Sequence, residues 1–175
     1  MITLTRTDSS NPDFIALVKL LDAYLAEKDG REHDFYNQFN TIVKLNNVVV
    51  CSENGTPVAC GAIKEFDEDT MEVKRMFTKP EARGKGFASH VLTDLEEWAA
   101  ELGYKNCVLE TGKRQVEAVA LYKNKGYSIV PNYAQYIGIE NSVCFRKELK
   151  WVVSRRLAQI TYADLLKDSW IVLDD

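Results

Sequence analysis

A glycine-rich, doubly basic turn is the part of this chain whose residue types most directly suggest chemistry. It runs from Arg83 to Ala88, contains Gly84 and Gly86, and follows an extended, partly apolar run that ends at Pro80. A long amphipathic pattern starts at once after it. The first turn of a helix leaves backbone N–H groups unpaired, and the helix macrodipole adds partial positive charge there. Because glycine has no Cβ, a ligand can approach the backbone closely, so the turn is predicted to hold a pyrophosphate.

Two familiar phosphate motifs do not fit this turn. A P-loop needs four residues between its glycines and then Gly-Lys-Ser/Thr, and that pattern is absent. A dinucleotide fingerprint needs a third glycine where Ser89 stands, and an acidic ribose ligand where Lys105 and Asn106 stand. An ordinary basic turn before a helix is the alternative, and the rest of the chain has to decide.

Two motifs resemble the signatures of the GNAT superfamily of N-acetyltransferases. The run from Arg83 to Ala88 matches Gln/Arg-x-x-Gly-x-Gly/Ala, the pattern of the family's coenzyme A pyrophosphate loop. The segment from Gln115 to Tyr127 is similar to Asn-x-x-Ala-x-x-Leu-Tyr-x-x-x-Gly-Phe/Tyr, with Gln115 in place of the usual asparagine. Both motifs stand in the family's order, and the resemblance covers roughly residues 1–149.

The resemblance implies an α/β fold, with a central mixed, mostly antiparallel sheet and helices on both faces. It also implies direct transfer of an acetyl group from acetyl-CoA to an amine, without a covalent acyl-enzyme. Backbone groups of the strand before the turn would hold the pantetheine arm and the thioester oxygen. The residues assigned to coenzyme A in this way are Met76, Phe77, Thr78, Arg83, Gly84, Lys85, Gly86, Phe87, Ala88, Gln115 and Lys125.

Tyr122 is the candidate for protonating the leaving thiolate, because it occupies the position where the family places a general acid. A phenol, whose ordinary pKa is about 10, is protonated at neutral pH and can donate to the sulfur. Periodicity alone favours a tyrosine packed on the sheet. The surrounding motif is what favours the catalytic interpretation.

Glu72 is the best carboxylate for deprotonating the amine, whose pKa is about 10.4 by analogy with lysine. Some family members carry a general base at this place on the strand. Period-2 alternation predicts that Glu72, Lys74 and Met76 share one face. A solvated ion pair with Lys74 and a water chain acting as the base are the alternatives. The rival bases are Glu65, Glu110 and His33.

The acceptor is expected to bind near the basic residues of the same strand. Arg75 beside Lys74 would grip a carboxylate, which favours amino-acid-like substrates, although a solvated surface is the default for such residues. Aromatic side chains of the early helices and of the loop after Pro131 are candidate pocket walls. The residues predicted to bind the acceptor are Arg75, His33, Tyr36 and Tyr136.

Composition limits the class of protein. The 175 residues are 46% hydrophobic and 27% charged, which predicts one globular domain. The net charge of −4 argues against nucleic acid binding. No leader pattern and no apolar run of about 18 residues is present, so a cytoplasmic protein without a membrane span is expected. Four cysteines outside any C-x-x-C and only two histidines predict buried thiols and no metal site.

Hydrophobic periodicity and turn residues predict the order of elements, with Asn11 as a helix cap and Asn54-Gly55 as a hairpin turn. Strands are expected at 2–6, 48–51, 58–66, 71–78, 106–111, from 127, and at 142–149; helices are expected at 12–30, 35–42, 88–103 and 115–125. Residues 1–149 are predicted to form the acetyltransferase domain. Residues 150–175 are predicted to form an apolar extension that packs on the body or on a second subunit, and a homodimer is therefore possible.

The prediction is an acetyl-CoA-dependent N-acetyltransferase acting on a small-molecule or amino-acid-like amine. A protein amine as the acceptor is left open. A non-catalytic acyl-CoA sensor or assembly module, with the apolar extension as its partner surface, is the second hypothesis. The presence of Tyr122 favours the enzyme.

Overall fold

A seven-stranded sheet is the framework of the protein. The computed structural model describes residues 1–29 and 45–150. The strands are β1 (Ile2–Thr7), β2 (Asn47–Glu53), β3 (Thr56–Asp67), β4 (Thr70–Thr78), β5 (Asn106–Gly112), β6 (Ser128–Val130) and β7 (Ser142–Glu148). Their order across the sheet is β1-β2-β3-β4-β5-β7-β6. The β4–β5 pair is parallel and the other pairs are antiparallel, which confirms the predicted mixed, mostly antiparallel sheet.

Helices cover both faces of this sheet, as predicted. Within the described ranges the α-helices are α1 (Pro12–Asp29), α2 (Phe87–Glu101) and α3 (Val116–Asn124). Alternate residues of β2 show how the faces divide. Val48 and Val50 pack in one apolar cluster with α1, whereas Val49 and Cys51 pack in a second cluster with α2 and α3. This period-2 division follows from the pleat of a strand that is buried on both faces.

The ends of the elements follow local chemistry that the sequence predicts. Asn11 caps α1, because its Oδ1 accepts the backbone N–H groups of Asp13 and Phe14, both at 3.0 Å. Asn54 and Gly55 form the β2–β3 turn with φ of 52° and 82°, the left-handed values that a type I′ turn needs. The predicted helix at 35–42 and the extension beyond Lys150 lie outside the described residues, so the proposed domain division stays a prediction.

The strands β4 and β5 pair only at their beginning. Their parallel ladder joins residues 70–72 to residues 106–108. Beyond it, β4 continues to Thr78 with β3 as its partner, and β5 continues to Gly112 with β7 as its partner. The two strands therefore open into a V, and among the described residues their facing backbone edges have no strand partner there. Unpaired backbone N–H and C=O groups of this kind need another partner.

A β-bulge interrupts β4 beside this opening. The strand pairs on either side leave Arg75 and Met76 together opposite Gly61 of β3. Arg75 has a φ of 58°, a left-handed conformation that is uncommon for a residue with a long side chain. Strained backbone of this kind is often found at functional sites.

The bulge overturns one prediction about the faces of β4. Met76 packs against the α2 side of the sheet with Val73, whereas Glu72 and Lys74 are hydrogen-bonded to each other on the α1 side. Met76 therefore does not share a face with Glu72 and Lys74. Period-2 alternation fails here because it holds only for a strand without an inserted residue.

We expect Gly61→Ala to lower the free energy of unfolding. A Cβ at Gly61 would collide with Met76 Sδ and lie 2.9 Å from Leu95 Cδ1 and 3.0 Å from Val91 Cγ1. Overpacking a core in this way typically costs about 1–3 kcal/mol. Urea denaturation would measure the loss, with Gly112→Ala as the control, since its nearest side-chain atoms would be 3.5 Å away. Equal stability of the two variants would contradict the close packing.

Candidate active site

The glycine-rich turn leads into the N-terminus of α2. Gly86 is the N-cap residue with a φ of 85°, Gly84 has a φ of 78°, and no side chain caps the helix. The N–H of His90 is the first to reach back, donating to the carbonyl of Gly86 at 3.1 Å. The amides of residues 87–89 therefore precede the first intrahelical hydrogen bond. Together with the macrodipole, they can hold an anion.

The two basic side chains of the turn have different surroundings. The guanidinium carbon of Arg83 lies 4.8 Å from the centre of the Tyr24 ring in α1, and its Nε donates to the carbonyl of Thr78 at 3.2 Å. Lys85 instead forms an exposed ion pair with Glu53 at 3.1 Å. Arg83 is thus held over the site by α1 and β4, whereas Lys85 is directed to the end of β2.

A cleft of about 530 Å³ extends from this turn toward the opening between β4 and β5. Lys85 and Lys125 do not line it. Lys125 instead follows the last turn of α3, where its N–H donates to the carbonyl of Leu121 at 3.0 Å. The other residues predicted to bind coenzyme A do line the cleft, namely Met76, Phe77, Thr78, Arg83, Gly84, Gly86, Phe87, Ala88 and Gln115.

A second cavity of about 110 Å³ lies against β4, β5 and α1. Glu72, Lys74 and Arg75 of β4 line it, together with Glu110 of β5 and Tyr136. The residues common to the two cavities are Leu21, Met76, Gln115, Ala118 and Tyr122. A group bound at the end of one cavity would therefore meet a group bound in the other at this junction.

Tyr122 is buried at the junction, with 5% of its surface exposed. Its ring lies 5.8 Å from the rings of both Tyr127 and Phe145, which fixes its position against the sheet. Burial, and to a smaller extent the charge of Glu110, raises the pKa of the Tyr122 phenol. Its hydroxyl therefore keeps its proton and can act as a donor. The packing role and the proposed acid role fall on the same residue.

Glu72 is held by two donors in the smaller cavity. Its Oε2 accepts a hydrogen bond from Lys74 Nζ at 3.2 Å, and its Oε1 accepts one from the Tyr133 hydroxyl at 3.4 Å. Burial and the charge of Glu72 raise the pKa of Tyr133, so this phenol stays a donor. The side chains of Lys74 and Glu72 are only 12% and 11% exposed. The pair is therefore mostly shielded from solvent.

The alternative candidates for the general base differ in their distance from the junction. Glu110 lines the same cavity as Glu72. Glu65 accepts a hydrogen bond from the hydroxyl of Tyr104 at 2.9 Å and lines a different hollow, so it lies away from the junction. His33, like the predicted acceptor residue Tyr36, lies outside the described residues.

Arg75 and Tyr136, predicted to bind the acceptor, both line the smaller cavity. Nη2 of Arg75 donates to Oδ1 of Asp22 in α1 at 2.7 Å. Burial, followed by the charges of Glu110 and Glu72, raises the pKa of Tyr136. Sequence reasoning does not find Asp22 or Tyr24, since α1 carries no motif and its contact with the site arises only through packing.

Comparisons with known proteins agree with this geometry. Residues 14–127 match the model of the acetyltransferase (GNAT) family. An IAA acetyltransferase of Azospirillum brasilense is 33% identical over 129 residues, which are 73% of this chain and 84% of that protein. The chain therefore belongs to the GNAT acetyltransferase family.

Solved structures show the same fold. A Klebsiella pneumoniae protein classed with the acyl-CoA N-acyltransferases superposes with a TM-score of 0.71 at 30% identity, over 86% of this chain and 99% of that one. A GNAT family acetyltransferase of Elizabethkingia anophelis, solved with acetyl-CoA bound, has a TM-score of 0.62 at 18% identity, over 85% of this chain and 98% of that one.

Three sequence predictions concern features outside the active site. No helix within residues 1–29 and 45–150 is long and apolar enough to cross a membrane. The same ranges contain no group of His, Cys, Asp and Glu side chains that could hold a metal ion. The four cysteines are buried and form no disulfide, which agrees with the prediction of buried thiols.

Proposed function

We propose that this protein transfers an acetyl group from acetyl-CoA directly to the amine of a small-molecule or amino-acid-like acceptor. The observation that carries the proposal is the meeting of two cavities at Met76 and Tyr122, one bounded by the glycine-rich turn and the other by carboxylates. The bound acetyl-CoA of the Elizabethkingia relative supports acetyl-CoA as the donor. The 110 Å³ volume of the second cavity supports a small acceptor.

The larger cleft would bind the coenzyme along its length. The amides of residues 87–89 and the guanidinium of Arg83 would hold the pyrophosphate, because both present N–H donors and positive charge. The β4 edge that faces the opening would pair with the amides of the pantetheine arm, as an added strand pairs with a sheet edge. Such pairing would bring the thioester beside Met76, whose N–H would donate to the carbonyl oxygen.

The chemical step would take place at the junction. The neutral amine attacks the thioester carbon, a C–N bond forms, and the C–S bond then breaks. Glu72, or a water between it and the amine, accepts the proton that the amine loses. Tyr122 gives its proton to the departing thiolate, so the products are the acetylated amine and free coenzyme A. Glu110 is the alternative acceptor of the amine proton, since it lines the same cavity.

We expect Glu72→Gln to lower kcat by about 10²-fold, the lower end of what general base catalysis contributes. It should also alter the limb of the pH–rate profile on which the rate rises with pH. Glu65→Gln is the control, because Glu65 lies on the neighbouring strand but away from the junction. If Glu72→Gln keeps the wild-type rate and profile, the same experiment on Glu110→Gln tests the remaining carboxylate.

A thiol-release assay over a panel of amines tests the function itself. The panel contains amino acids, simple alkylamines, polyamines and peptides, with acetyl-CoA affinity measured in parallel by calorimetry. Turnover of a small amine is the expected result. Turnover restricted to peptides would indicate a protein N-acetyltransferase instead. Tight binding of acetyl-CoA without turnover of any amine would favour the non-catalytic sensor.

A further inference from the structure

We propose that Arg75 binds a carboxylate of the acceptor, so that the acceptor is an amine carrying an acid group. This inference rests on the proposed function and specifies the substrate class of the same site. It begins from the two nitrogens of the Arg75 guanidinium, Nε and Nη1, that have no hydrogen-bond partner among the described residues, and it assigns them a ligand.

The guanidinium of Arg75 is incompletely satisfied. Its side chain is only 3% exposed, and Nη2 donates to Asp22 Oδ1 at 2.7 Å. Nε and Nη1 are shielded from solvent and have no hydrogen-bond partner in the part of the chain that the structure describes. A buried cationic group without its partners is costly, so native proteins rarely leave one in this state. Arg75 lines the smaller cavity. Because Nε and Nη1 are closed to water in this structure, a ligand in the cavity would supply the missing acceptors after the guanidinium turns toward it.

The unused donors suit a carboxylate. Nη2 carries two hydrogens, and the bond to Asp22 uses one of them. One hydrogen of Nη2 is parallel to Nε–H, and the other is parallel to an N–H of Nη1. Whichever of them Asp22 accepts, the remaining one forms a pair of parallel donors with its neighbour. Two parallel N–H groups match the two oxygens of a carboxylate, and this fork–fork pairing is both stronger and more directional than a neutral contact.

The bulge places this fork next to the reaction centre. Arg75 and Met76 are adjacent, and Met76 lines both cavities. Glu72 and Glu110 line the same cavity as Arg75, so negative and positive groups face one small volume. A molecule with an ammonium group and a carboxylate would match both, and the carboxylate end would be held while the amine reaches the thioester. Free amino acids have this charge arrangement.

A purely structural role for Arg75, clamping α1 to β4 through Asp22, is the competing explanation. It accounts for one donor of the guanidinium and leaves Nε and Nη1 unexplained. The side chain of Asp22 is also 42% exposed, so water can satisfy this carboxylate without Arg75. The two explanations differ in what the removal of Asp22 does, and the test uses that difference.

The experiment compares the standard L-amino acids and β-alanine with their carboxamides, which keep the amine and lose the charge. For at least one pair we expect the wild-type kcat/KM of the acid to exceed that of its amide by about tenfold or more, since the amide leaves buried donors unpaired. Arg75→Gln should remove this preference by lowering kcat/KM for the acid, with the acetyl-CoA Kd as a check on the coenzyme cleft. Asp22→Asn should retain the preference, because it keeps the guanidinium.

Three other results would overturn the carboxylate-binding role of Arg75. Equal rates for acids and amides, or a preference that survives Arg75→Gln, would overturn the inference while the proposed function stands. Equal loss of the preference in Arg75→Gln and Asp22→Asn would assign Arg75 to the clamp and also overturn it. If Arg75→Gln does not fold, Arg75→Lys replaces it, since lysine keeps the charge but not the fork.

If the wild-type protein acetylates no amine, the proposed function fails. The role of Arg75 as a carboxylate site is then tested by ligand binding alone. The same acids and amides are then titrated by calorimetry into protein loaded with coenzyme A. Binding of an acid but not its amide, lost in the Arg75 variant, supports the carboxylate site. Absence of that selectivity overturns it.

Discussion

Replacing Tyr122 by phenylalanine is expected to lower kcat by about 10²-fold or more, the range that a general acid contributes. The acetyl-CoA Kd should change little, because the variant removes one hydroxyl at the end of the cleft and keeps the ring between its neighbours. Since burial raises the pKa of Tyr122, its ionisation should not reduce the wild-type rate below a pH of about 10, the ordinary value for a phenol. Steady-state kinetics across the pH range, with calorimetry, measures both effects.

Tyr127→Phe is the matched control for this experiment. Tyr127 is buried, and its ring packs on that of Tyr122, but it lines neither of the two cavities. Any loss of rate that arises only from removing a buried hydroxyl in this cluster should therefore appear in both variants. If Tyr122→Phe is no slower than Tyr127→Phe at every pH, Tyr122 is not the proton donor.

Replacing Gly86 by alanine is expected to weaken acetyl-CoA binding by more than about tenfold, a loss of about 1.4 kcal/mol or more of binding free energy. Gly86 has a φ of 85° and starts α2, and a Cβ there would meet no protein atom within 4 Å. The protein itself therefore has room for the methyl group. The loss is expected because the new Cβ would occupy the space of the pyrophosphate and would disfavour the backbone conformation that points the amides at it.

Gly103→Ala separates strain from ligand contact. Gly103 has a φ of 93° and follows the other end of α2, and a Cβ at this position would likewise meet no protein atom within 4 Å. Both alanines should lower the free energy of unfolding by about 1–2 kcal/mol, the usual cost of a left-handed conformation for a residue with a Cβ. Only Gly86→Ala should lower coenzyme affinity. Equal calorimetric affinities for the two variants would refute the assignment of the turn to the pyrophosphate.

Predictions that depend on neighbouring residues in the chain agree best with the structure. The turn before α2, the cap at Asn11 and the Asn54-Gly55 hairpin each follow from the conformations open to a few adjacent residues. Nine of the residues predicted to bind coenzyme A line one cleft, and this prediction is also mainly local. Those on β4, the turn and α2 lie within one continuous strand–turn–helix segment. Their roles in binding stay predictions until a ligand is bound.

Predictions that depend on a regular period along a strand are less successful. Alternation places Met76 on the face of Glu72 and Lys74, whereas the bulge at Arg75 moves it to the other face. A bulge changes the pairing between two strands, so its position cannot be deduced from the spacing of residues.

By itself, the sequence determined the family, the strand–turn–helix that presents unpaired amides, and the tyrosine on α3, because these features are built from contiguous residues with restricted backbone conformations. Only the tertiary structure decided which carboxylates share a cavity, that Tyr24 packs on Arg83, and that Asp22 uses just one donor of Arg75. The physical reason is distance along the chain. Asp22 and Arg75 are 53 residues apart, and packing of a helix on a bulged strand, which no local pattern encodes, brings them together.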